Sequence, residues 1–120
     1  MWGRSIALTI VAATIAACAT ISLRTADAPT NTCDLALVSG ILTNNRPNGL
    51  ALREPDGQVV LVLWPFGYSS RGFVGSMELV EATGKSVARE GDPVQMSGGT
   101  NGDGVFVACG GSVVKVQPQG

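Results

Sequence analysis

Histidine is absent from this 120-residue chain, and charged and aromatic residues are scarce, at 14% and 5%. Without an imidazole there is no Ser-His-Asp triad, no Cys-His dyad and no His-ligated metal. Eight Lys and Arg against nine Asp and Glu leave a formal net charge of −1. That balance lacks the basic stripe of a nucleic-acid module and the charge density of a disordered polyampholyte, so no nucleic-acid partner is expected. No motif calls for a cofactor or a metal. What the chain has in quantity is apolar residues, 45%, and glycine, 16 residues. The length allows one domain.

Charge is missing altogether from Ser5 to Leu23, just after Arg4. A buried amphipathic helix would carry a polar face, and this stretch offers only Ser and Thr for one. A basic start, an apolar run and then small residues form the pattern of an export signal or membrane anchor. Ile15-Ala16-Ala17-Cys18 resembles a bacterial lipobox, a resemblance that implies cleavage before Cys18 and lipid attachment to its sulfur. Ordinary signal-peptidase cleavage is a second reading, at Ala17-Cys18-Ala19 or at Ala26-Asp27-Ala28, where Pro29 follows. A third leaves the segment uncut as a weak membrane anchor. Each route predicts an exported protein of the cell envelope, held at a membrane through its N-terminus or secreted. The expected organisation is a signal peptide or anchor over 1–18, a flexible spacer over 19–32 and a folded domain over 33–120.

With Cys18 assigned to lipid, Cys33 and Cys109 remain as an even pair in an oxidising compartment. A bridge between them closes a loop of about 77 residues, which the chain-entropy argument values at about 4.5 kcal/mol. Two buried free thiols are the alternative. A domain this small favours the bridge.

From Gly40 onward, 15 of the 16 glycines and five of the six prolines separate short apolar runs. The runs read as strands: Leu35–Leu42, bent at Gly40, then Leu50–Arg53, Gln58–Trp64, Met77–Glu81, Ser86–Arg89, Val94–Met96, and a last strand of Val105–Cys109 and Val113–Val116 broken by Gly110-Gly111. The unbroken Val59–Leu63 run predicts a central strand buried on both faces. One helical turn fits within Gly67–Gly75, and Gly98–Gly104 reads as a glycine-rich loop. Short strands with turn signals every 8–12 residues predict an all-β domain. The expected form is a small OB-like barrel, the oligonucleotide-binding type, with a two-sheet sandwich as the alternative.

The succession Cys33, Val38–Leu42, Leu50–Leu52, Asp56-Gly57, Leu63–Gly67, Gly84–Val94, Gly98-Gly99 and Cys109 resembles that of small uncharacterised bacterial exported proteins. The resemblance implies export, a cysteine pair and a β domain, and no catalytic activity.

Candidate chemistry is thin. Gly84-Lys85-Ser86 matches the tail of a phosphate-binding loop, but Leu79 stands where the first glycine belongs, so a turn is the better reading. Gly98–Gly104 resembles a single calcium repeat and offers one carboxylate, where calcium takes six to eight oxygens. Glu90 and Asp92 have the spacing of a carboxylate pair, yet Gly91 and Pro93 mark a turn in which Asp caps the backbone. Trp64, Phe66 and Tyr68 alternate, and an extended backbone would line them on one face. With Arg71 they form a candidate stacking platform for a sugar, peptide or base. Alternatively Trp64 and Phe66 plug the barrel and Tyr68 marks its rim. The function expected is a non-enzymatic binding module with an envelope glycan or protein as partner, or else an accessory envelope protein without a small-molecule ligand.

Overall fold

A computed structural model describes residues 23–29, 33–45 and 49–117. The signal or anchor segment, Cys18 and Arg46–Asn48 of the Asn-rich turn lie outside the described residues. The architecture is all-β, with no helix among the described residues. A seven-stranded sheet curls into a nearly closed, OB-like barrel, and a three-stranded sheet lies between its two halves in the chain.

The barrel starts with β1 (Ala36–Asn44), whose second half pairs with β2 (Leu50–Arg53) and whose first half pairs with β8 (Pro93–Thr100), both antiparallel. β3 (Val59–Val60) pairs with β2, and β4 (Val62–Leu63) runs parallel to β9 (Phe106–Ala108), which returns along β8. β3 and β4 are therefore the opposite ends of the sheet, joined through Leu61 alone. The Val59–Leu63 run is not the doubly buried central strand expected from its composition. Val59 is exposed and Leu61 interrupts the pairing, because this run is the seam that closes the ring.

The registers give the geometry of closure. Asn44 pairs with Leu50, and continuing the β2–β3 register sets Leu50 opposite Val62. Val62 pairs with Phe106 and Phe106 with Thr100, and continuing the β8–β1 register sets Thr100 opposite Asp34. One circuit returns ten residues before its start, a large stagger for five short strands, so the strands are steeply tilted.

Two other expectations are corrected. The Gly67–Gly75 stretch holds no helical turn. It forms β5 (Ser69–Arg71), which pairs with β6 (Glu78–Val80), itself paired with β7 (Ser86–Arg89). A bulge between Leu79 and Val80 buries both side chains and explains why this run breaks the alternation of a strand. The Gly98–Gly104 stretch is a strand for its first three residues. A Cβ on Gly98 would collide with the Val107 carbonyl and one on Gly99 with the Asp34 side chain, so these glycines serve close backbone approach. The loop proper is Asn101–Val105, where Asn101 Oδ1 accepts the N–H of Asp103 and of Val105 at 2.9 and 3.1 Å. The break expected at Gly110-Gly111 is present, and β10 (Val114–Lys115) resumes pairing on β8 beyond it.

The core is one cluster built from both sheets. Leu42, Leu50, Leu52, Val94, Met96 and Trp64 come from the barrel, and Met77, Leu79 and Ala88 from the small sheet. Cys33 and Cys109 are bridged, with Cα atoms 5.7 Å apart, which ties the approach to β1 to the end of β9. Replacing both cysteines with serine is expected to lower the unfolding free energy by about 2–5 kcal/mol. Urea denaturation of the oxidised protein against the double variant measures this, and equal midpoints would contradict it.

Candidate functional site

The residues expected to form an aromatic platform are separated by the fold. Trp64 is fully buried, and its indole N–H donates to the Leu50 carbonyl at 3.0 Å. It therefore plugs the barrel. Pro65 to Tyr68 is not extended. The Tyr68 N–H donates to the Pro65 carbonyl at 3.2 Å and Gly67 has φ +85°, which makes a type II turn. The turn sends Phe66 outward, half-exposed beside a recess of about 160 Å³ lined by Ala26, Pro29 and Val107. Phe66 thus does not share the barrel-plugging role. Tyr68 is half-buried at the edge of the core, and its phenol is pushed up from 10.0 by burial first and by the Glu81 charge second.

Arg71 lies on the small sheet. Its Nε donates to one oxygen of Glu78 at 2.9 Å, while Arg89 holds the other at 2.8 Å. Hydrogen bonds from Arg71 and then Arg89 hold the Glu78 carboxyl below the usual carboxylate range. The Arg71 Nε is engaged by a carboxylate that links three strands, away from Trp64 and Phe66. The other motifs are turns. Gly84 N–H donates to Glu81 in the β6–β7 hairpin, and Asp92 Oδ2 accepts the Arg89 N–H at 2.9 Å.

A different surface has the shape of a binding site. The side chains of Leu37, Ser39 and Ile41 alternate outward along β1, opposite Ser97, Gln95 and Pro93 of β8. They floor a concavity of about 840 Å³ bounded by Arg53, Glu54 and Pro55 on one side and Val116 on the other. Leu37 is 65% exposed, and no lining residue is aromatic.

The backbone of β1 adds a second property. Leu42 exchanges hydrogen bonds with Asp92 and Gly91, on the β8 side, whereas the Asn45 N–H donates to Gly49, on the β2 side. Backbone groups alternate along a strand, so the odd-numbered residues of β1 face β2. β2 leaves the ladder at Arg53, opposite Ile41. The N–H and C=O groups of Leu37 and Ser39 therefore point past the end of β2, where no strand of the described residues pairs with them. The apolar pattern of β1 on both faces was the available signal for this surface. The open edge had none, because it depends on where β2 stops.

No known protein family, no curated protein and no solved structure matches the chain.

Two outcomes follow. With Trp2 replaced by Phe, acrylamide is expected to leave Trp64 emission largely unquenched. Trp64→Phe is expected to cost about 1–3 kcal/mol by orphaning the Leu50 carbonyl. A readily quenched Trp64 would contradict its burial. The depressed Glu78 ionisation stabilises the fold above the ordinary carboxylate range and is lost as pH falls through its folded value. The stability advantage of the native protein over Glu78→Gln is therefore expected at neutral pH and should vanish in acid, as read by denaturation at stepped pH.

Proposed function

We propose that this protein is an exported, membrane-anchored binding module of the cell envelope, without enzymatic activity, that holds an extended segment of a protein partner along β1. The carrying observation is the conjunction of an open backbone edge at Leu37 and Ser39 with an apolar concavity beside it. An unpaired edge offers alternating donors and acceptors at strand spacing, and an extended polypeptide satisfies them by adding a strand. Leu37 and Ile41 then take apolar side chains from the added strand, and Arg53, Glu54 and Gln95 supply polar contacts around them. The lack of an aromatic ring in the lining favours a peptide over a glycan, which stacks on ring faces.

Export is supported by the Cys33–Cys109 bridge, which belongs to oxidising compartments, and by the uncharged stretch from Ser5 to Leu23. Cys18 is the proposed lipid site, on the strength of its resemblance to a lipobox. The second reading is an accessory envelope protein that uses the bridged barrel as a rigid body.

Thermal shifts against extended apolar peptides, envelope glycans and lipids separate the two. Peptides are expected to raise the melting temperature, and Ser39→Pro should abolish the shift by removing an edge N–H that no strand of the described residues pairs with. Phe73→Asp, on the exposed β5–β6 turn, should leave it intact. No shift with any class would favour the accessory role, and undiminished peptide binding by Ser39→Pro would place the contact elsewhere.

A further inference from the structure

The stretch between the apolar segment and Cys33 has a spacer's composition, yet part of it is built into the barrel. Thr25 forms a parallel bridge with Trp64. The Trp64 N–H donates to the Arg24 carbonyl at 2.8 Å, and the Ala26 N–H donates to the Trp64 carbonyl at 2.9 Å. Leu23 packs against the core cluster.

The position explains the pairing. The Leu61 carbonyl accepts the Phe106 N–H, so alternation turns the backbone groups of Val62 and Trp64 toward β2. β2 begins at Leu50, opposite Val62 in the continued register, and Trp64 lies beyond its reach. Leu23–Ala26 supplies the missing neighbour. Without it, the backbone N–H and C=O of a fully buried residue would lose their partners and the core would lose Leu23.

We propose that Leu23–Ala26 is a strand of the mature domain and that any export cleavage falls N-terminal to Leu23, leaving the Ala26-Asp27-Ala28 site unused. Cleavage before Cys18, cleavage after Ala19 and retention of the whole segment all preserve the strand. Cleavage after Ala28 destroys it. The consequence for location rests on the membrane-anchored reading above. Five residues from Cys18 to Leu23 span at most about 18 Å, so a lipid on Cys18 holds the barrel close to the bilayer surface.

Arg24 provides an internal reporter, because its side chain is exposed and trypsin cuts after arginine. The full-length gene is expressed in cells and the protein extracted in mild detergent. Its N-terminus is read by intact mass, and trypsin digestion is followed by peptide mapping. The expected N-terminus is Cys18, Thr20 or Met1, and the Arg24-Thr25 bond should be cut at least tenfold more slowly than in Leu23→Asp. Ala26→Pro removes the donor to the Trp64 carbonyl and should also speed cleavage, which keeps the test decisive if Leu23→Asp does not fold. An N-terminus at Pro29, or equally rapid cleavage at Arg24 in the native protein and in Ala26→Pro, overturns the proposal. Recovery of uncut chain in the cytosolic fraction removes the export reading alone, because the rate at Arg24 still judges the strand.

Discussion

Closing a ring of five short strands obliges one segment to pair with both ends of the sheet, and here Val59–Trp64 carries that obligation. Its first residues satisfy β2, its next satisfy β9, and Trp64 turns inward to fill the barrel. Parallel pairing at the β4–β9 seam is what lets the chain leave for the small sheet and come back as β8 and β9. The ten-residue stagger follows from the same closure, and so does the steep crossing that brings Gly98 against the Val107 carbonyl. The indole of Trp64 then fastens the seam to the start of β2 through the Leu50 carbonyl.

The remaining elements finish what the ring leaves incomplete. The insertion between β4 and β8 brings Met77, Leu79 and Ala88 to a core that the barrel strands do not fill alone. Leu23–Ala26 completes the wall beside Trp64. The disulfide joins the approach to β1 with the end of β9, two stretches that the ladder does not hold directly. Among the described residues of the barrel, the first half of β1 is left open, where a short β2 exposes backbone groups and an apolar floor. The two Arg side chains on Glu78 hold the three strands of the small sheet in line at its surface, where they contribute little to overall stability.

Where local pattern decides structure, the sequence was readable. Leu50–Arg53, Ser86–Arg89 and the last strand, with its Gly110-Gly111 break, stand where alternation and turn residues put them. The cysteine pair was readable because the proposed assignment of Cys18 to a lipid leaves two thiols to pair. What escaped depends on partners distant in sequence. A two-residue ladder such as β3 or β4 has no periodicity of its own, so the Val59–Leu63 run could not reveal its break at Leu61. Glycines in close strand contact, Gly98 and Gly99, look like loop glycines until the opposing carbonyl and carboxylate are in view. At the candidate site, the alternation of Trp64, Phe66 and Tyr68 assumed an extended backbone, although Pro65 and Gly67 are residues of a tight turn. The open edge of β1 was invisible because it is defined by where its neighbour ends.

The bridge also bears on how the molecule matures. A polypeptide emerges N-terminus first, so Cys33 and the Trp64 neighbourhood are exposed well before Cys109, 76 residues later, arrives. Neither the β8–β9 hairpin nor the covalent link can form until the final tenth of the chain is released. Until then the nascent barrel is an open sheet with an unshielded tryptophan and a lone thiol. Where Cys18 carries the proposed lipid, its acylated sulfur cannot compete for Cys33 during that wait.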